Sequence, residues 1–104
     1  MTKVEKYYIM FPDKKRRGVN MEPKIVGYRI QKLMEIEAIN VVELAKKLGI
    51  TQKELEIKLK GEEEFYLSQI MQIKEIFNLN LEIFAGIFFE ANFDLEKNIL
   101  DLYK

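Results

Sequence analysis

Asn40-Val-Val-Glu-Leu-Ala-Lys-Lys-Leu-Gly-Ile-Thr-Gln-Lys-Glu-Leu-Glu-Ile-Lys-Leu-Lys-Gly61 is the stretch on which the fold turns. Asn40 offers a side-chain acceptor at a helix start, and Glu43 stands three residues on, where its carboxylate can return to the Asn40 amide as a capping box. Val41, Leu44, Ala45 and Leu48 then share one face at helical spacing until Gly49 stops the run. Thr51 and Glu54 repeat the same start signal, and Leu55 and Leu59 carry the next helix to Gly61. The pattern predicts two short helices meeting through a tight turn at Gly49. Ala45 is small enough for the two to cross closely, and Ile50 plugs the corner.

Working outward, Pro23 suits a first helical turn, where its missing N–H costs nothing, and Val26, Ile30, Leu33, Met34 and Ile36 follow at three- and four-residue steps. This predicts a first helix of about four turns. Beyond Gly61, the run from Leu67 through Ile70, Met71, Ile73, Ile76 and Phe77 predicts a fourth helix closed by Asn78, and Asn80 caps a fifth from Leu81. Gly86 interrupts that apolar run, and the triplet Ile87, Phe88, Phe89 has β-branched and aromatic character, so an extended segment is expected there. Asp94 then caps a tail helix with Leu95, Ile99, Leu102 and Tyr103 on one side. The expected architecture is all-α: five helices over residues 22–90 with a strand-like segment at its C-terminal end, a basic extension over 1–21, and a tail helix over 91–104.

The 104 residues include no Cys, His or Trp. One domain fits this length, with roughly two-thirds of the unfolded surface buried. There is no disulfide framework, thiol nucleophile or imidazole base, and nothing that asks for zinc or another cofactor. No nucleophile-and-base pair or phosphate-binding glycine loop is present, so catalysis is not expected. The longest apolar run, Ile83 to Phe89, falls far short of the roughly 20 residues that span a bilayer. Tyr7 to Phe11 is too short for a signal-peptide core. A cytoplasmic protein is the expectation. Lys and Arg balance Asp and Glu at 17 each, yet the charge is unevenly placed: residues 1–21 carry +4, residues 40–61 carry +2, and residues 62–104 carry −6.

The motifs Gly27-Tyr-Arg-Ile-Gln-Lys-Leu33, Glu43-Leu-Ala-Lys-Lys-Leu-Gly-Ile-Thr51, Lys58-Leu-Lys-Gly61, Phe65, Leu67-Ser-Gln-Ile70 and Asn78-Leu-Asn-Leu-Glu-Ile-Phe84 together resemble the lambda-repressor-like helix-turn-helix regulators of the XRE or Cro type, in particular a phage-associated branch. The resemblance covers about residues 24–90. It implies a DNA-binding dimer whose third helix enters the major groove. It places Thr51 at a phosphate, and Gln52 and Lys53 at base edges, where Gln suits adenine and Lys suits guanine. Ile57 falls at a usually polar reading position and leaves an apolar contact to a thymine methyl. Val41 stands where the family often has a phosphate-binding Gln. Met34 and Leu59 replace an internal Arg–Glu pair by two apolar residues, which leaves no charge buried alone.

Each of these residues also has a plainer reading. Gln52 and Lys53 serve equally as the solvent-facing start of a helix. Lys46, Lys47, Lys58 and Lys60 are phosphate contacts or solvated lysines. Glu54, Glu56 and the run Glu62-Glu63-Glu64 oppose phosphate binding, and the run lacks the spacing of a calcium loop. Lys14-Lys-Arg16-Arg17 is a groove-entering arm, a solvated charge run, or the trace of an upstream start, since Arg16-Arg17-Gly18-Val19-Asn20-Met21 in purine-rich codons would resemble a ribosome-binding site ahead of Met21. Pairing of two subunits is expected through Ile87, Phe88, Phe89, Leu95 and Ile99. An extended triplet presents alternate side chains to opposite faces and so needs a second partner, either the tail helix through Leu95, Ile99, Leu102 and Tyr103 or the same segment of another subunit. Two functions remain open: a sequence-specific double-stranded DNA regulator, or the same scaffold turned to protein binding through its acidic face, as in an antirepressor or an inhibitor of a host protein.

Overall fold

The computed structural model describes residues 22–95, 97 and 98. The basic extension, with Arg16 and Arg17, and the tail positions Ile99, Leu102 and Tyr103 lie outside the described residues. Within them the chain is all-α, with five helices: α1 (Pro23–Glu37), α2 (Val41–Leu48), α3 (Gln52–Leu59), α4 (Leu67–Ile76) and α5 (Leu81–Phe89). No strand occurs among the described residues.

The helix ends follow directly from side-chain chemistry. Asn40 and Thr51 each accept from the amide three residues on while Glu43 and Glu54 return to the cap amide, so both capping boxes close. Asn80 accepts from the Ile83 amide at 2.8 Å. Four helices terminate alike, in a left-handed residue whose successor donates back to the carbonyl five residues earlier. Ile39 reaches Met34, Ile50 reaches Ala45, Glu62 reaches Ile57 and Leu79 reaches Lys74. The left-handed positions are Ala38, Gly49, Gly61 and Asn78. This closure folds an apolar residue back under the helix end, which is how Ile39, Ile50 and Leu79 come to rest against the core.

α1 packs on α3 and α5, while α2 packs on α3 and α4. Ile30, Leu44, Leu55, Ile73 and Ile87 are completely enclosed where these helices meet. Each such side chain contributes about 1.5–3 kcal/mol of burial. Gly27 lets α1 approach α3 closely, since a Cβ there would lie 2.2 Å from the Leu59 carbonyl oxygen. Met34 and Leu59 are both buried apolar residues.

The triplet expected to be extended is helical: α5 runs through Phe89. Gly86 does not break the helix. The chain reverses after Glu90 and lays the Phe93 ring on Gly86, where a Cβ would meet ring carbons at 2.2 Å. A glycine inside a helix costs about 1 kcal/mol relative to alanine, and seating Phe93 is what the missing side chain permits. Leu95 is buried in the same core, so residues 91–95 pack as part of the helical unit. Asp94 Oδ1 accepts from the Lys97 amide at 3.2 Å, beginning a further helical turn as its capping role predicts.

α5 has no basic residue in its last turn. Its end is closed instead by Arg29 of α1. Arg29 Nη1 donates to the carbonyls of Gly86, Ile87 and Glu90 at 3.0, 3.0 and 2.9 Å, and Nη2 to those of Ala91 and Phe93 at 3.1 Å each. A guanidinium has its donors in a fixed fork and complements the negative end of a helix. The guanidinium carbon also lies 5.6 Å from the Phe93 ring centroid. Burial lowers the Arg29 pKa from its ordinary value, and the nearby Glu90 carboxylate pulls it back up.

Candidate nucleic-acid interface

α3 buries Leu55 and Leu59 against the rest of the fold and leaves Gln52, Lys53 and Lys60 exposed, with Glu56 and Ile57 half-buried between them. Lys46 and Lys47 are exposed in the last turn of α2, the negative end of that helix. Four of the five lysines in this segment therefore reach solvent around the turn and α3.

Lys58 does not. It is 2% exposed, and its Nζ turns inward to donate to the Glu64 carbonyl at 2.9 Å. The ammonium sits 3.9 Å from the Tyr66 ring centroid and 3.7 Å from Glu63 Oε1. A phosphate contact by Lys58 is thus corrected to an internal role: the lysine ties the α3–α4 connection to the end of α3. Part of the acidic run is thereby engaged within the chain, since Glu63 supplies the counter-charge and Glu64 the carbonyl.

Thr51 is committed locally. Its Oγ1 accepts from the Glu54 amide at 3.0 Å and donates to Glu54 Oε1 at 3.2 Å, and the same Oε1 accepts from the Thr51 amide at 3.0 Å. The Glu54 carboxylate, which looked adverse to phosphate, is occupied in holding the start of α3. Gln52 Nε2 donates to Glu56 Oε2 at 3.2 Å, joining two side chains one helical turn apart. Gln31 reaches from α1 to the Leu59 carbonyl at 2.9 Å, and with Val41, Glu56, Leu59 and Lys60 it lines a shallow groove of about 280 Å³ beside α3.

The residues expected to pair two subunits are mostly consumed within the chain. Ile87 and Phe88 are 0% exposed and Leu95 is buried, because a helical rather than extended triplet turns two adjacent side chains into the core together. Phe89 is 53% exposed and stacks edge-on to Phe84 with centroids 6.0 Å apart. Leu81, at the other end of α5, is also exposed.

The roles of two residues escaped the sequence reading. Arg29 sits in phase with Val26, Ile30 and Leu33, and an arginine on an apolar stripe is a signal that carbonyls or an acid must await it. Glu56 was visible as the i+4 neighbour of Gln52, a spacing at which the two side chains meet. Among the described residues no group of His, Cys, Asp or Glu is arranged to hold a metal ion, and no helix is long and apolar enough to cross a membrane. Compared with models of protein families, with curated proteins and with solved structures, the chain matches none.

Proposed function

We propose that the chain is a sequence-specific double-stranded DNA-binding transcriptional regulator of the lambda-repressor-like type, of phage or mobile-element kind. It acts as a dimer with α3 in the major groove. The observation that carries this reading is the division of labour in residues 40–61. Every large apolar residue of α2 and α3 except the valines and Ile57 is buried, while Gln52, Lys53 and Lys60 stand exposed along α3 with Lys46 and Lys47 at its flank. Gln and Lys are suited to adenine and guanine edges, and the flanking lysines to phosphates.

With Lys58 withdrawn and Lys53 at a base edge, Lys46, Lys47 and Lys60 remain as phosphate contacts in each subunit. Binding to a duplex from the protein's own promoter should then weaken with salt at a slope of about −0.9 per contact, up to about −2.7 per subunit in log K against log salt. Lys53→Ala should cost about 1–3 kcal/mol and relax the preference at one base pair. A uniform loss on all duplexes would make Lys53 a phosphate contact instead.

The exposed Glu62, beside the inward-turned Lys58, favours a second reading: the same scaffold binds a protein through an acidic face. On that reading no duplex is bound even at low salt, and the salt series separates the two.

A further inference from the structure

Gln52 and Glu56 stand on the outward side of α3, and the bond from Gln52 Nε2 to Glu56 Oε2 decides how the glutamine presents itself. An ionised carboxylate only accepts, so the amide nitrogen must be the end that faces it. One N–H and Oε1 remain for an approaching ligand, in a fixed order along the helix. That pair is the complement of N7 and N6 of adenine in the major groove. Glu56 is half-buried and lines the groove formed with Gln31, Val41, Leu59 and Lys60. Of the three acids between residues 40 and 61, Glu43 and Glu54 are engaged in capping boxes. Glu56 is the one directed at a reading side chain.

We infer that Glu56 is a positioning residue that fixes the Gln52 amide in the one orientation that reads adenine, and so sets the base preference of α3. The inference rests on the DNA-binding reading above. It gives Glu56 two effects of opposite sign. Its charge repels phosphates on every duplex. Its bond to Gln52 removes the alternative amide orientation and part of the rotamer freedom that a glutamine otherwise loses on binding.

The test uses the full chain. A randomised duplex pool identifies the preferred site, and the site and its single-base variants are then titrated at one salt concentration with wild type, Gln52→Ala, Glu56→Ala and the double variant. Expected are tighter binding of non-cognate duplex by Glu56→Ala, by about threefold, and a fall of about tenfold in discrimination for adenine at one position. That position should be the one at which Gln52→Ala loses its preference. In the Gln52→Ala background, Glu56→Ala should leave discrimination unchanged while still raising affinity. Parallel gains on cognate and non-cognate duplexes, with adenine discrimination intact, would overturn the inference and leave the DNA-binding reading standing. So would a site without a Gln52-dependent adenine. Failure of the wild type to bind any duplex at low salt overturns both.

Discussion

Replacing Arg29 by methionine retains most of the apolar stem and deletes the guanidinium that closes α5. Gly86 and Ile87 are residues whose helical donors, four positions on, fall at Glu90 and Ala91, beyond the end of α5. Arg29 supplies the missing donors at 3.0 Å in a buried setting. Orphaning two buried acceptors costs about 1–3 kcal/mol each. The carbonyls of Glu90, Ala91 and Phe93 are nearer to water, and those can rehydrate. Part of the loss is returned because the variant no longer desolvates a cation, the same burial that lowers the Arg29 pKa. A net loss of about 3 kcal/mol is expected. For a unit of roughly 75 residues, total stability is about 4–11 kcal/mol, so the variant survives at 25 °C but melts early. At 4–8 °C per kcal/mol the midpoint should fall by about 12–24 °C. Thermal and urea melts followed by far-ultraviolet circular dichroism measure this. Arg29→Lys, with one nitrogen in place of two, should fall between. A midpoint shift below about 5 °C for Arg29→Met would refute the view that these carbonyls depend on the guanidinium.

Lys58→Met should lower stability by about 2 kcal/mol through the lost charged hydrogen bond and aromatic contact, while leaving the salt slope of DNA binding where it was. Lys60→Ala should instead make that slope shallower by about 0.9 with little effect on melting. Gly27→Ala forces α1 away from the Leu59 carbonyl, and a loss of about 1–3 kcal/mol is expected; a wild-type melting curve would show that the helices separate without cost. Phe89→Asp tests subunit pairing at the exposed end of α5 and should yield monomers by sedimentation with the fold intact, whereas Phe88→Asp places a charge in the core and should unfold the chain. A wild type that sediments as a monomer at micromolar concentration removes the dimer from the proposal.

Local rules made most of the helical architecture readable in advance. Asn40, Thr51 and Asn80 with their amide partners three residues on, and Gly49 at the turn, act over distances shorter than one helical turn, so the chain order alone exposes them. The reading broke down where the determining partner is remote. Gly86 looks like a helix breaker until Phe93 is placed on it from beyond the helix end. Lys58 looks like a surface lysine until the chain from Gly61 to Tyr66 wraps over it and offers a carbonyl, a carboxylate and a ring. On the proposed function the ligand of Gln52 and Lys53 lies outside the chain, and for that ligand the sequence states only which chemistry is available.

The bonds made by Arg29 join positions 57–64 residues apart in the chain. Such a closure has an ordering in time. α1, α2 and α3 can collapse together from near neighbours, but the guanidinium meets its carbonyls only after the chain has been made as far as Phe93 and a long loop has closed. Contacts that form after the rate-limiting step act mainly on the reverse reaction. The clamp is therefore a latch on unfolding: Arg29→Met should accelerate the unfolding limb of a chevron and leave the refolding limb nearly in place, and the lifetime of the folded state, more than its speed of formation, is what one arginine governs.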